Sequence, residues 1–189
     1  MLKLLIIMLF CCLLFSRISG QHSKMHNPEA DTILNNPEIY PKNSIYLEVL
    51  GNSLYLASMN YERVFLQKNF FYLAGGIGIG AGGLMGMSNF SAPIHINGIF
   101  QIYKQLALEA GFGITFMRAG TQSEDGVWTH ENVAALDLNV GIRVQNTNGV
   151  VLRWSFTPFY PINQSLLIFE ENRLQPYIGF SVGRSFGKK

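Results

Sequence analysis

Cysteine is missing from all but the opening of this chain: Cys11 and Cys12 both lie in the first apolar run, and none follows. The remainder can form no disulfide, which excludes a small secreted domain held together by bridges. Charge is scarce, at 14% of residues. Setting aside Lys3 and Arg17 with the opening segment leaves 12 basic residues against 12 acidic ones, so no broad electrostatic case for nucleic acid exists. Beyond the opening, no stretch reaches the ~18 apolar residues that a membrane-crossing helix needs. If this chain lives in a membrane, it does so as strands.

Recognisable chemistry is sparse as well. His22, His26, His95 and His130 lack metal-ligand spacing. Gly78-Ile79-Gly80-Ala81-Gly82-Gly83 fits a dinucleotide fingerprint in letters only, because no helical pattern follows and no acid lies about twenty residues on. No cofactor and no metal are expected.

What is present begins with export. Lys3, the apolar run Leu4 to Phe15 and then Ser16-Arg17-Ile18-Ser19-Gly20 make a secretory signal peptide over 1–20, too short to span a bilayer. Neither cysteine follows the small residues of a lipoprotein cleavage site. Residues 21–43 are polar and interrupted by Pro28, Pro37 and Pro41, and read as an irregular periplasmic lead-in. Within it, Asp31-Thr32-Ile33 resembles an O-glycosylation acceptor, although a plain turn explains it better.

From residue 44 onward the chain alternates with period two. The segment Leu174 to Phe186 sets Ile178, Phe180 and Val182 against Gly179, Ser181, Gly183 and Ser185. The same pattern runs through Ser44–Leu50, Leu54–Phe65, Phe70–Gly80, Ala92–Ile102, Leu106–Phe116, Val133–Gln145 and Val150–Pro158. Gly51-Asn52, Gln67-Lys68-Asn69, Lys104-Gln105 and Asn146 to Gly149 supply turns. Longer connections fall at 81–91, 118–131 and 160–173. Apart from the first outer connection, which is tight, short turns alternate with long loops, as in bacterial outer-membrane barrels with both termini in the periplasm. The expected fold is all-β: an eight-stranded antiparallel up-and-down transmembrane β-barrel over 44–186, with a short tail, 187–189.

The polar face carries Glu48, Glu62, Glu109, Asp137, Arg143 and Arg153, with His95 and Asn97 beside them. A narrow eight-stranded barrel is filled by side chains, so buried charges must pair. Arg143 and Arg153, on adjacent strands, are expected to neutralise the carboxylates in a lumen network, with lumen-side glycines making room. Two arginines against four acids leave either protonated acids or a contribution from a rim residue such as Arg63. Phe65, Phe70, Phe71, Tyr103, Phe116, Phe159, Tyr160 and Phe186 fall near strand ends, where interfacial girdles would stand.

Two other readings compete. A lipocalin-like soluble barrel, secreted or periplasmic, would turn the apolar faces inward around an apolar ligand. A lipid-modifying hydrolase in the outer membrane would use Ser123, His130 and a nearby acid, Asp125 or Glu131, although no spacing fixes a nucleophile.

The stretches NSIYLEVLGNSLYLASMNYERVF, APIHINGIFQIYKQLALEAGFGITF, GVVLRWSFTPFYP and PYIGFSVGRSF resemble the small, porin-like outer-membrane β-barrel proteins of Bacteroidota. The resemblance covers about Ser44 to Phe186. It implies the cell outer membrane as location, reached by Sec-type export, a monomer in contact with outer-membrane lipid, and no agreed activity. It further implies that the barrel-insertion machinery reads the closing strand through Phe180, Val182 and the terminal aromatic Phe186. Gly187-Lys188-Lys189 departs from that pattern by moving the aromatic off the terminus. The expected role is structural or surface-interacting, with little or no pore activity and no enzymatic one.

Overall fold

The computed structural model describes residues 41–53, 57–82, 87–123, 125–146, 148–162 and 173–187. The expected signal peptide, most of the expected lead-in with Asp31-Thr32-Ile33, and parts of the expected loops 81–91 and 160–173 lie outside them.

The strands are β1 (Asn43–Leu50), β2 (Ala57–Lys68), β3 (Phe71–Gly82), β4 (Met87–Tyr103), β5 (Leu106–Gln122), β6 (Trp128–Gln145), β7 (Val150–Phe156), β8 (Phe159–Pro161) and β9 (Ile178–Phe186). From β1 to β7 each strand pairs antiparallel with the next, β8 pairs with β6 and β7 with β9, and β9 returns to β1 in the register Asn43↔Phe186 through Leu50↔Gly179. The sheet is therefore closed and has no free edge. Strands β7 and β8 both lie against β6 and form one stave, split at Thr157-Pro158. The split has a local cause. Pro158 cannot donate to the ladder, so only its carbonyl contributes, accepting from the Leu138 amide at 3.1 Å. Counted by staves, this is the expected eight-stranded barrel.

Both ends of the chain's barrel meet the short turns at one end, the turn end, where Ser185 N–H donates to Gly149 O and Val64 N–H to Lys42 O. The opposite, loop end differs from the sequence reading. Strands β5 and β6 do not stop at Phe116 and Val133; they stay paired from Phe116↔Ala134 to Gln122↔Trp128. The expected long loop 118–131 is thus mostly hairpin, with the chain reversing at Ser123–Val127. Its polar side chains concealed strands whose pairing is satisfied by backbone partners. The closing strand starts later than expected, at Ile178 rather than Leu174.

The polarity of the faces is unambiguous. Leu136, Phe112 and Phe180 point outward, exposed at 51%, 61% and 40%, whereas Glu109 and Arg153 are buried at 1% and 3%. Such an inside-out pattern is the reverse of the soluble carrier considered above, whose lumen would have to be apolar. Around the turn end, Phe65, Phe70, Phe100, Tyr103 and Phe186 stand outward; toward the loop end, Phe90, Phe116 and Tyr160 do so. Phe159 corrects the girdle expectation. It is fully buried, because it stands two residues on from the inward Thr157 and pairs with the inward Asp137, so the unbroken alternation carries that ring into the lumen.

Candidate functional site

The lumen is built in layers from the inward half of each alternating strand. Nearest the turn end lies an apolar layer of Val64, Tyr72, Ala74, Ile99 and Ala107. Above it sits an ionic core. Arg143 Nη1 donates to Glu62 Oε1 at 2.6 Å and to Glu109 Oε1 at 2.9 Å, and Arg153 Nε donates to Glu109 Oε2 at 2.7 Å. The remaining donors of Arg143 are used as well, Nε on Gln145 Oε1 at 3.0 Å and Nη2 on Ser44 Oγ at 3.1 Å. Arg153 lies over the Tyr46 ring, 4.6 Å from its centroid, and the Tyr46 hydroxyl meets His95 Nε2 at 3.0 Å.

Glycines opposite these groups make the space. A Cβ at Gly76 would collide with the His95 ring, and one at Gly78 with the Asn60 amide. Both glycines face partners directly across a strand pair, Gly76↔His95 and Asn60↔Gly78. The glycine-rich run of β3 is a cradle for two polar side chains rather than a phosphate loop.

The third layer holds the two acids that the arginines do not reach. Glu48 accepts from the Asn52 backbone amide at 2.6 Å and from Ser181 Oγ at 3.2 Å. Asp137 Oδ2 accepts from Thr115 Oγ1 at 3.3 Å. The same Thr115 hydroxyl lies 2.8 Å from Asn52 O. The connection Gly51–Ser53 is therefore not an outward hairpin tip. It is a single 3₁₀ turn bent into the barrel mouth, with Asn52 1% exposed and Leu50 and Gly51 at φ of 62° and 65°. A last, apolar layer of Met117, Val133, Ala135 and Phe159 closes the loop end, with Tyr177 edge-on to Phe159 at 5.5 Å.

Thus all six sequence-selected charges are inside, and Glu62, Glu109, Arg143 and Arg153 are brought together while Glu48 and Asp137 stand apart. Arg63 is exposed on the outer wall, so the expected rim contribution from it fails; its odd position in the alternation puts it opposite to Glu62. The closing-strand residues Phe180, Val182 and Phe186 are outward and exposed. The two apolar layers were missed by sequence reading, since Val64, Ile99, Met117 and Val133 occupy inward registers otherwise taken by polar residues. Ser123 and His130 are not joined. Ser123 shapes the hairpin turn, accepting from Gly126 N–H at 2.9 Å, while the His130 ring stacks on Trp128 at 6.1 Å. Among the described residues no group of three or more metal-ligating side chains occurs.

No protein-family model and no curated protein matches the sequence. Similar chain traces occur among solved structures. The outer membrane protein Ail of Yersinia pestis, in a phospholipid bilayer nanodisc, is 12% identical with a TM-score of 0.48, covering 77% of this chain and 99% of its own. Neisserial surface protein A is 14% identical with a TM-score of 0.45, covering 78% and 96%. CarO of Acinetobacter baumannii is 11% identical with a TM-score of 0.37, covering 80% and 100%. At such values the likeness concerns the course of the chain alone.

Proposed function

We propose that this chain is an outer-membrane β-barrel that serves as a closed, rigid platform for its loop-end surface and does not conduct solutes. One observation carries the reading: every stave turns aliphatic and aromatic side chains outward while Glu48, Glu62, Glu109, Asp137, Arg143 and Arg153 are sealed within. Exposed side chains such as Leu47, Ile77, Leu138 and Trp154, at 53–59%, would be intolerable in water as one continuous belt and are what a hydrocarbon phase requires.

The layered lumen supports closure. An ion encountering this barrel would have to cross two apolar layers and break the ion pairs of Arg143 and Arg153 with Glu62 and Glu109. The 12 residues each of β2 and β3 and the joint β7–β8 stave suffice for the ~9–11 residues of a tilted crossing, β1 and β9 come to 8 and 9, and β4, β5 and β6 continue past it. Export would use the signal peptide 1–20, and the outward Phe180, Val182 and Phe186 would present the closing strand to the insertion machinery. The role is non-enzymatic and surface-directed, and the protein is a monomer.

The test is folding from denaturant into lipid vesicles, read as heat-modifiable migration on a detergent gel, followed by planar-bilayer recording. The expected results are a folded band that shifts on boiling and no conductance steps. A chain that folds without detergent or lipid and fractionates as a soluble protein would overturn the reading.

A further inference from the structure

Outside the lumen, the wall formed by β4, β5 and β6 carries a groove of about 600 Å³ near the loop end. Two cross-strand rows build it. The upper row is Phe90↔Arg118↔Asn132 and the lower is Ala92↔Phe116↔Ala134. Ala92 and Ala134 flank the large Phe116 ring and leave a depression on either side, and Ile162, whose amide donates to Ala134 O at 2.8 Å, walls the far edge. Immediately below comes the wholly apolar row Ile94↔Ile114↔Leu136, so the groove opens downward onto the greasy belt. Its upper lip is a cation and an amide, Arg118 and Asn132, both exposed.

The groove is thus apolar below and cationic at one end, located where the apolar belt gives way to polar side chains. The charge lies at the point where an amphiphile with its chain in the belt would put its headgroup. A guanidinium offers a planar pair of donors to phosphate, and the neighbouring amide adds one more. We propose that this groove holds one anionic lipid of the surrounding membrane, an acyl chain lying between Phe90, Phe116 and Ile162 and its phosphate on Arg118 and Asn132. The site rests on the membrane reading given above and deepens it, because the bound lipid would fix the depth of the β5–β6 hairpin.

The test uses the full barrel in phosphatidylcholine vesicles doped with phosphatidic acid as the probe, extracted into mild detergent and weighed by native mass spectrometry. The unmodified protein should retain one phosphatidic acid in preference to phosphatidylcholine. Arg118→Ser should lower that retention roughly tenfold or more, as loss of a charge-assisted contact does. Ala134→Phe, which fills the groove without touching the charge, should lower it as well, whereas Arg63→Ser on the outer wall near the turn end should not. Equal retention of the two lipids, or retention unchanged in both groove variants, overturns the proposal while leaving the membrane reading intact. Failure of the unmodified barrel to insert at all overturns the membrane reading and this proposal with it.

Discussion

Arg143 on β6 and Glu62 on β2, 81 residues apart in sequence, meet at 2.6 Å in the lumen with each side chain 1% exposed. These strands are not neighbours in the sheet, so the contact spans the barrel interior and ties opposite walls. A buried pair of this kind is weak evidence for net stability but strong evidence for the cost of breaking it. Removing one partner strands the other.

Arg143→Met should accordingly destabilise the folded barrel by about 3–5 kcal/mol, because Glu62 and Glu109 both lose a counter-charge. Adding Glu62→Met should recover part of that loss. Reversible urea unfolding in vesicles, followed by tryptophan fluorescence, measures both, and a double variant worse than the sum of the singles would contradict the pairing.

The outer wall gives the converse prediction. Leu138→Arg or Ile142→Arg puts a charge on residues now 54% and 50% exposed, and near the midplane of a bilayer this costs about 2–4 kcal/mol. The same unfolding assay applies. A neutral effect would mean that these faces do not meet lipid.

The glycine cradle of β3 should tolerate no side chain beneath the polar groups it accommodates. Gly78→Val would drive Asn60 from its place and is expected to cost about 1–3 kcal/mol, the usual penalty of overpacking. Folded yield on the heat-modifiability gel, compared with a substitution of the exposed Gln105, checks it.

The inward turn offers a gentler case. Thr115→Val deletes the hydroxyl that bridges Asn52 O and Asp137 and should cost about 1 kcal/mol. Because the apolar layers remain, the variant should still show no conductance in planar bilayers, and stepwise currents would place the seal at Asn52 rather than at those layers.

A substitution of the closing strand separates assembly from stability. Phe186→Ser should reduce the folded amount in the outer membrane of expressing cells while leaving in vitro folding into vesicles nearly unchanged. Equal loss in both assays would make Phe186 an ordinary structural residue rather than a recognition signal.

Period-two alternation belongs to the local chain, so the sequence by itself determined which side chains share a face, and hence that Leu138 and Arg143 look in opposite directions. The even number of staves and their antiparallel hairpins followed from turn residues such as Asn69 and Gly149, both at positive φ. Extent was less legible: Arg118, Gln122 and His130 read as loop, because a strand held by backbone pairing with its hairpin partner needs no apolar signature. Only the tertiary structure decided who meets whom inside. Which acid Arg143 reaches depends on where the closed, staggered sheet carries β2 relative to β6, and which inward residues become apolar plugs depends on their height in the barrel. Closure of β9 onto β1 fixes both, and that is a property of the whole ring rather than of any one strand.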